Sequence, residues 1–166
     1  MTNIIYKNKN VSFLSKHEIK EIKIARSHYP NSQAAIIECL KIVQKYRRWV
    51  CNNSIKEISK ILKISSSEIE SIATFYNQIF RKPVGKNIIR ICDSFVCFIM
   101  GYKKIKNFLC KSLKINYGET TQDNKFTLLP TCCLGACDKG PVIMINKEIY
   151  FFIKKSSVVN ILGKYK

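Results

Sequence analysis

The chain has 166 residues, 46% of them apolar, and few Gly or Pro; this suffices for one domain with a real core, or a domain plus a small helical appendage, and excludes a disordered or fibrous chain. The formal net charge is +18, from 29 Lys and Arg against 11 Asp and Glu, but the lysines are dispersed among Ile and Asn, so the charge reads as composition more than as the clustered stripe of a nucleic-acid or anionic-membrane binder. No apolar run reaches the ~20 residues of a membrane span, and MTNIIYKNKNVSFLSKHE lacks a signal-peptide core; a cytoplasmic chain is expected, in which eight cysteines point to metal or redox chemistry and not to disulfides.

The first half reads as helices. SKHE, residues 15–18, is a capping box, followed by Ile19, Ile22 and Ala25 at helical spacing and by Pro30 at the exit. A second helix is predicted over residues 33–46, with Ile36, Leu40 and Val43 on one face. SIKE, residues 54–57, repeats the cap signature before Ile58, Ile61 and Leu62, and SSSE, residues 65–68, opens a fourth helix carrying Ile69, Ile72, Ala73 and Phe75. Short helices with short joints make a small bundle, residues 1–84. His17 and His28 fall in this region and read as surface histidines.

RKPVGK, residues 81–86, breaks the pattern. Beyond it NIIRIC is a strand ending at Cys92, GYKKIKNFLCKSL a helix with Ile105, Leu109 and Leu113 on one face, and KFTLLPTC a second strand. PVIMIN and EIYFFI form a hairpin about Asn146-Lys147, and SSVVNILGKYK a terminal helix. The order β-α-β then β-β-α predicts an α/β (α+β) domain over residues 85–166, a four-stranded mixed sheet with flanking helices.

Cysteines punctuate this half. CDSFVC places Cys92 and Cys97 at C-x4-C after the first strand; CLGAC places Cys133 and Cys137 at C-x3-C after the next. If the strands are neighbours, the two loops bring four thiolates together. Tetrahedral zinc and an iron–sulfur cluster both suit four thiolates, but zinc favours C-x2-C knuckles, and the wider spacing favours a [2Fe–2S] cluster with two thiolates on each iron. Gly135 lets the second loop turn its N–H groups toward the sulfurs, and Lys139 adds positive charge nearby. Strand alternation sends the adjacent Cys132 and Cys133 to opposite faces; the x3 spacing selects Cys133 and leaves Cys132 packed under the sheet. Cys39 and Cys110 lie within helices and read as small core residues, while Cys51 has no evident pair.

ICDSFVCFIMGY, FTLLPTCCLGACDKGPV and SIATFYNQIFRKPVGK resemble the E-subunit family of bacterial respiratory NADH:quinone oxidoreductase (complex I), thioredoxin-like [2Fe–2S] ferredoxins, and the resemblance runs from about residue 15 to the end. It implies a thioredoxin-like domain after the helical region, with a cluster on Cys92, Cys97, Cys133 and Cys137, the four that spacing selects. It implies a partner subunit carrying FMN and oxidising NADH, with which the cluster exchanges single electrons, the chain lying on the cytoplasmic side of the inner membrane within the peripheral arm. The isolated chain would then be an electron carrier with no substrate site of its own, in keeping with the absence of a G-x-G-x-x-G sequence. Two positions depart from the family, which more often has Gly at Arg48 and Pro at Cys51. Pro141 stands where thioredoxin-like folds often carry a cis-proline. The aromatic residues Phe75, Tyr76, Phe80, Phe95 and Phe98 are a candidate partner face, with core packing as the alternative for several.

A rival reading takes residues 54–72 as a helix-turn-helix and the chain as an iron–sulfur or zinc-containing DNA-binding regulator. Its recognition helix would offer Glu68 and Glu70 to phosphates and no basic residue before Arg81, which argues against nucleic acid as a partner.

Overall fold

A computed structural model of the chain describes residues 13–165. Contacts divide it into two compact units, Met1–Pro83 and Val84–Lys166, one residue before the 84/85 joint read from the sequence.

Among the described residues the first unit holds four helices, α1 (Lys16–Ser27), α2 (Ile36–Arg47), α3 (Asn52–Leu62) and α4 (Ser66–Phe75). Their apolar stripes meet in a core that includes Ile22, Ile36, Cys39, Leu40, Val43, Ile58 and Ile69, each fully buried. Ser15 caps α1 through a complete capping box with Glu18. Glu18 is itself buried and takes a two-pronged bond from Arg47 at the end of α2, Nε to Oε1 at 2.6 Å and Nη2 to Oε2 at 2.8 Å. The start of α1 is thereby tied to the end of α2. α2 begins at Ile36, later than the predicted residue 33, after a turn at residues 33–35. Ser65 caps α4 as predicted, accepting from the Glu68 N–H. Ser54 does not cap α3. That helix starts at Asn52 with Cys51 in the cap position, and Ser54 is buried one turn inside it, its hydroxyl 3.4 Å from Cys51 Sγ. The S-x-x-E spelling marks a start only where the Ser is extended, and here the chain has already turned helical.

Arg48, Lys63 and Lys114 end α2, α3 and a later helix in the left-handed region, at φ 69°, 56° and 55°. Glycine normally takes this place because it has no Cβ to clash.

The second unit is a sheet in the order β2-β1-β3-β4, formed by β1 (Asn87–Cys92), β2 (Phe126–Thr131), β3 (Ile143–Ile145) and β4 (Glu148–Tyr150). β1 and β2 are parallel, while β3 is antiparallel to both β1 and β4. Between β1 and β2 lie a short helix α5 (Phe95–Ile99), which the loop reading of CDSFVC misses, and α6 (Tyr102–Leu113); α7 (Lys155–Gly163) closes the chain. Ile105 and Leu109 of α6 and Val158 and Ile161 of α7 pack on Ile89, Ile91, Leu128, Ile143 and Ile145. Pro130 is tolerated because β2 is an edge strand. β4 is shorter than EIYFFI suggests: Phe152 takes φ 48°, so Phe151 and Phe152 leave the sheet and are exposed. Gly85, just before β1, lies so close to β2 that an added Cβ would sit 2.8 Å from the Phe126 carbonyl carbon and 2.9 Å from its nitrogen.

Candidate metal centre

Parallel pairing decides where the cysteines go. Cys92, the last residue of β1, is in register with Thr131, the last of β2, so both strands deliver their following loops at one end of the sheet. Alternation turns Cys92 away from Ile89 and Ile91, whose side chains face the helices. It lies instead in a separate buried group with Cys97 and Val142, against which Tyr102, Leu134 and Ala136 pack. Cys97 reaches that group from α5, after an extended Ser94 that begins the helix. The second loop leaves β2 through Cys132 and Cys133, turns at Gly135 with φ 82°, and enters a single 3-10 turn, Cys137–Lys139. The Gly140–Pro141 bond that follows is cis.

The thiols form two pairs. Cys133 Sγ and Cys137 Sγ are 3.3 Å apart, and the Gly135 N–H donates to Cys133 Sγ over 3.3 Å. Cys92 and Cys97 share one buried group and shift each other's thiol titration in opposite directions. The pairs sense one another: the Cys97 thiol is pushed up to about 11 by burial, then by the bond with Cys92 and by the charges of Cys92 and Cys137, against a lowering bond from the Val142 N–H. Burial also pushes Cys92 up, but the N–H groups of Ser94 and Leu134, with the Cys97 thiol and the Ser94 hydroxyl, bring it below the ordinary thiol value. Cys137 is raised by its bond to Cys133 and by the Cys133 charge. Besides Gly135, the backbone N–H groups of Ser94 and Leu134 favour the Cys92 thiolate and that of Val142 the Cys97 thiolate. Sequence reasoning singles out only Gly135; the donors at the other three positions follow from backbone path and have no side-chain signature.

The two pairs differ in depth. Cys92 and Cys97 are each 2% exposed, whereas Cys133 and Cys137 are exposed. Among the described residues no three Cys, His, Asp or Glu side chains converge on a single ion position. A donor set of two thiol pairs fits a two-iron cluster, which takes two thiolates at each iron. Gly140 keeps the floor open: a Cβ there would lie 2.8 Å from Met100 Sδ and 3.5 Å from Cys97 Sγ.

The structure corrects one neighbour. Cys132 is exposed and not packed under the sheet, because β2 ends at Thr131 and strand alternation no longer governs the residue after it. Cys39 is fully buried and Cys110 half-buried against the second core. Lys139 holds its ammonium over the Phe151 ring, 5.2 Å from the centroid. His17 and His28 are exposed. Of the aromatic candidates, Phe75, Tyr76, Phe95 and Phe98 are exposed and Phe80 is half-buried. Arg81, the basic residue that ends the supposed recognition segment, is held by Glu70 at 2.7 Å, by Asn52 Oδ1 at 2.7 Å and by the Val50 carbonyl. No helix among the described residues is long and apolar enough to cross a membrane.

Comparison with known proteins identifies the family. Residues 22–166 match the family model of the thioredoxin-like [2Fe-2S] ferredoxins. The E subunit of NADH-quinone oxidoreductase from Buchnera aphidicola subsp. Acyrthosiphon pisum is 54% identical over 153 residues, 92% of this chain and 94% of the relative. The Escherichia coli protein of the same name is 49% identical over 92% of each chain. A crystal structure of NAD+-reducing [NiFe]-hydrogenase in the air-oxidized state shares the fold over 76% of this chain with a TM-score of 0.65 and 24% identity, although the match spans only 22% of the hydrogenase chain. The chain therefore belongs to the thioredoxin-like [2Fe–2S] ferredoxin family, among the E subunits of NADH-quinone oxidoreductase.

Proposed function

We propose that the chain is the electron-transfer subunit of an NADH-quinone oxidoreductase, that Cys92, Cys97, Cys133 and Cys137 hold its [2Fe–2S] cluster, and that its electron partner is the FMN of an NADH-oxidising subunit. The observation that carries the site assignment is the pairing of the four thiols at the shared end of two parallel strands, with backbone N–H groups directed at the sulfurs. When bound, the cluster supplies a reversible one-electron couple. The chain's own residues do the rest. The N–H groups of Ser94, Leu134, Gly135 and Val142 offset thiolate charge and favour the more negative, reduced state. Tyr102, Leu134 and Val142 exclude water from the inner pair. The exposed Cys133–Cys137 loop leaves the other pair near the surface, where a partner's redox group can approach. As part of a membrane-bound complex the chain would sit peripherally, on the cytoplasmic face.

Anaerobic purification with iron and sulfide analysis, followed by low-temperature EPR before and after dithionite, tests the reading. Two irons, two sulfides and a rhombic signal only after reduction are expected. Stoichiometric zinc with no EPR signal would refute it.

A further inference from the structure

Beside the cysteine loops the second unit carries an open groove of about 640 Å³. Its apolar lining comprises the buried Ile105 and Ile153, the half-buried Pro141 and the exposed Ile99 and Met100, and the exposed Lys104, Lys154 and Lys155 border it. No acidic residue lines it. All three lysines are exposed, and none forms an ion pair among the described residues. Ile99 is 66% and Met100 43% exposed, an unusual display for apolar side chains next to a buried thiol pair. The groove abuts the metal centre: Met100 Sδ and Cys97 Sγ both lie within 3.5 Å of the space above Gly140. A ligand for this surface needs an apolar group for Ile99 and Met100 and negative charge for the lysines.

We propose that the groove seats an acidic segment of the flavin-bearing partner, an apolar side chain on Ile99 and Met100 and carboxylates among the three ammonium groups. This places the partner against the wall of the inner cysteine pair. The inference rests on the electron-transfer reading above. The occupant is a protein segment, because the groove lies against Cys97 of the proposed cluster site, which the electron partner has to approach; an anionic lipid surface, which also suits exposed apolar residues beside lysines, is the alternative the test separates.

The test uses the full chain with its cluster, the purified flavin subunit of the same complex, and the variant K104E/K154E/K155E. A control, K86E/K111E/K147E, makes the same change in net charge at three other exposed positions of the unit. Binding is measured by biolayer interferometry from 0.05 to 0.5 M salt. The rim variant is expected to weaken Kd about ten-fold or more at 0.1 M salt and to flatten the salt dependence. The control should stay within about two-fold, and the EPR signal of both should be unchanged. Equal binding by the rim variant and the wild type would overturn the groove while leaving the electron-transfer reading intact. Equal loss in the control would overturn it too, by showing only general attraction. Failure of the wild-type chain to bind the flavin subunit would overturn both. Retained flavin-subunit binding with lost binding to phosphatidylglycerol vesicles would assign the groove to lipid and refute the proposal.

Discussion

Removing Arg47 gives a sharp test of how the helical unit is held together. Arg47→Met deletes the two bonds to Glu18, at 2.6 and 2.8 Å, and the bond to the Phe13 carbonyl, and leaves the carboxylate, 2% exposed, with the Ser15 N–H at 2.7 Å. Breaking a buried ion pair from one side costs about 3–5 kcal/mol, because the surviving charge stays buried. The Arg47 side chain is 27% exposed, so water can partly replace it, and we expect about 2–3 kcal/mol. With an m-value of ~1 kcal/mol/M for a unit of this size, the urea midpoint should fall by about 2–3 M. The single Trp, Trp49, lies in this unit, so its fluorescence reports the transition. Burial pushes the Glu18 carboxyl up, but Arg47 and the Ser15 groups more than offset this and hold it below the ordinary glutamate value. Its contribution is therefore complete above the unfolded pKa of ~4.3 and fades as pH falls through the lower folded value. The gap between wild type and variant should begin to narrow above pH ~4.3, where the variant's buried carboxylate, raised by burial without Arg47, takes up a proton, and should narrow further as pH falls through the lower folded value of the wild type. The double variant E18L/R47M removes both charges and should recover all but ~1 kcal/mol, the remainder being the lost capping box and the lost contact of Arg47 with Phe13. A single-variant cost under ~1 kcal/mol at pH 7, or one that stays constant down to pH 3.5, would refute the reasoning.

Three further outcomes follow from named contacts. Cys133→Ser should abolish or badly perturb the reduced-state EPR signal, while Cys132→Ser should leave it nearly intact, because Cys133 is the thiol within 3.3 Å of Cys137; the reverse result would exchange the two assignments. Gly85→Ala should destabilise the second unit by about 1–3 kcal/mol in thermal unfolding followed by circular dichroism, since its Cβ would meet β2 backbone, which cannot swing aside as a side chain can. Lys63→Gly should stabilise the helical unit by about 0.5–1 kcal/mol in the Trp49 urea assay, because Lys63 is exposed and holds φ 56° at the end of α3; a loss of stability would mean that the lysine charge at the helix end outweighs the strain.

Much of the fold is legible because local chemistry and tertiary position agree. SKHE caps α1 and SSSE caps α4, and the apolar, Ile-rich run NIIRIC is a fully buried strand in the middle of the sheet. Where the reading fails, a longer-range factor intervenes. Ser54 carries a cap motif, yet the chain turns helical at Cys51, and no local signal separates an S-x-x-E at a helix start from one inside the first turn. FVCFI reads as loop because five residues are too few to show a 3.6-residue period, and its apolar side chains face outward: Phe95 is 76% and Ile99 66% exposed. That outward display carries information in its own right, since core packing is the ordinary fate of such residues.

Cys132 shows most clearly why the candidate site can be read without its geometry being known. The spacing argument and the structure both set Cys133 beside Cys137, but for different reasons. Alternation predicts Cys132 buried under the sheet; in fact β2 has ended, and both cysteines are exposed. What separates them is the turn at Gly135, whose φ of 82° folds the loop back and aims its N–H at Cys133 Sγ. A residue with a Cβ would resist that conformation by about 1–2 kcal/mol, so the glycine contributes through its backbone. The division of labour across the site has the same origin. The inner thiols inherit their positions from β1 and α5, packed on apolar neighbours that hold them even as thiols. The outer thiols are themselves exposed, on a loop that only Leu134 and Ala136 pack against the inner group, so their order depends more on what they bind. Loss of an outer ligand should consequently loosen the 133–139 loop without unfolding the sheet, whereas replacing Cys92 or Cys97 disturbs a packed interior as well as the centre.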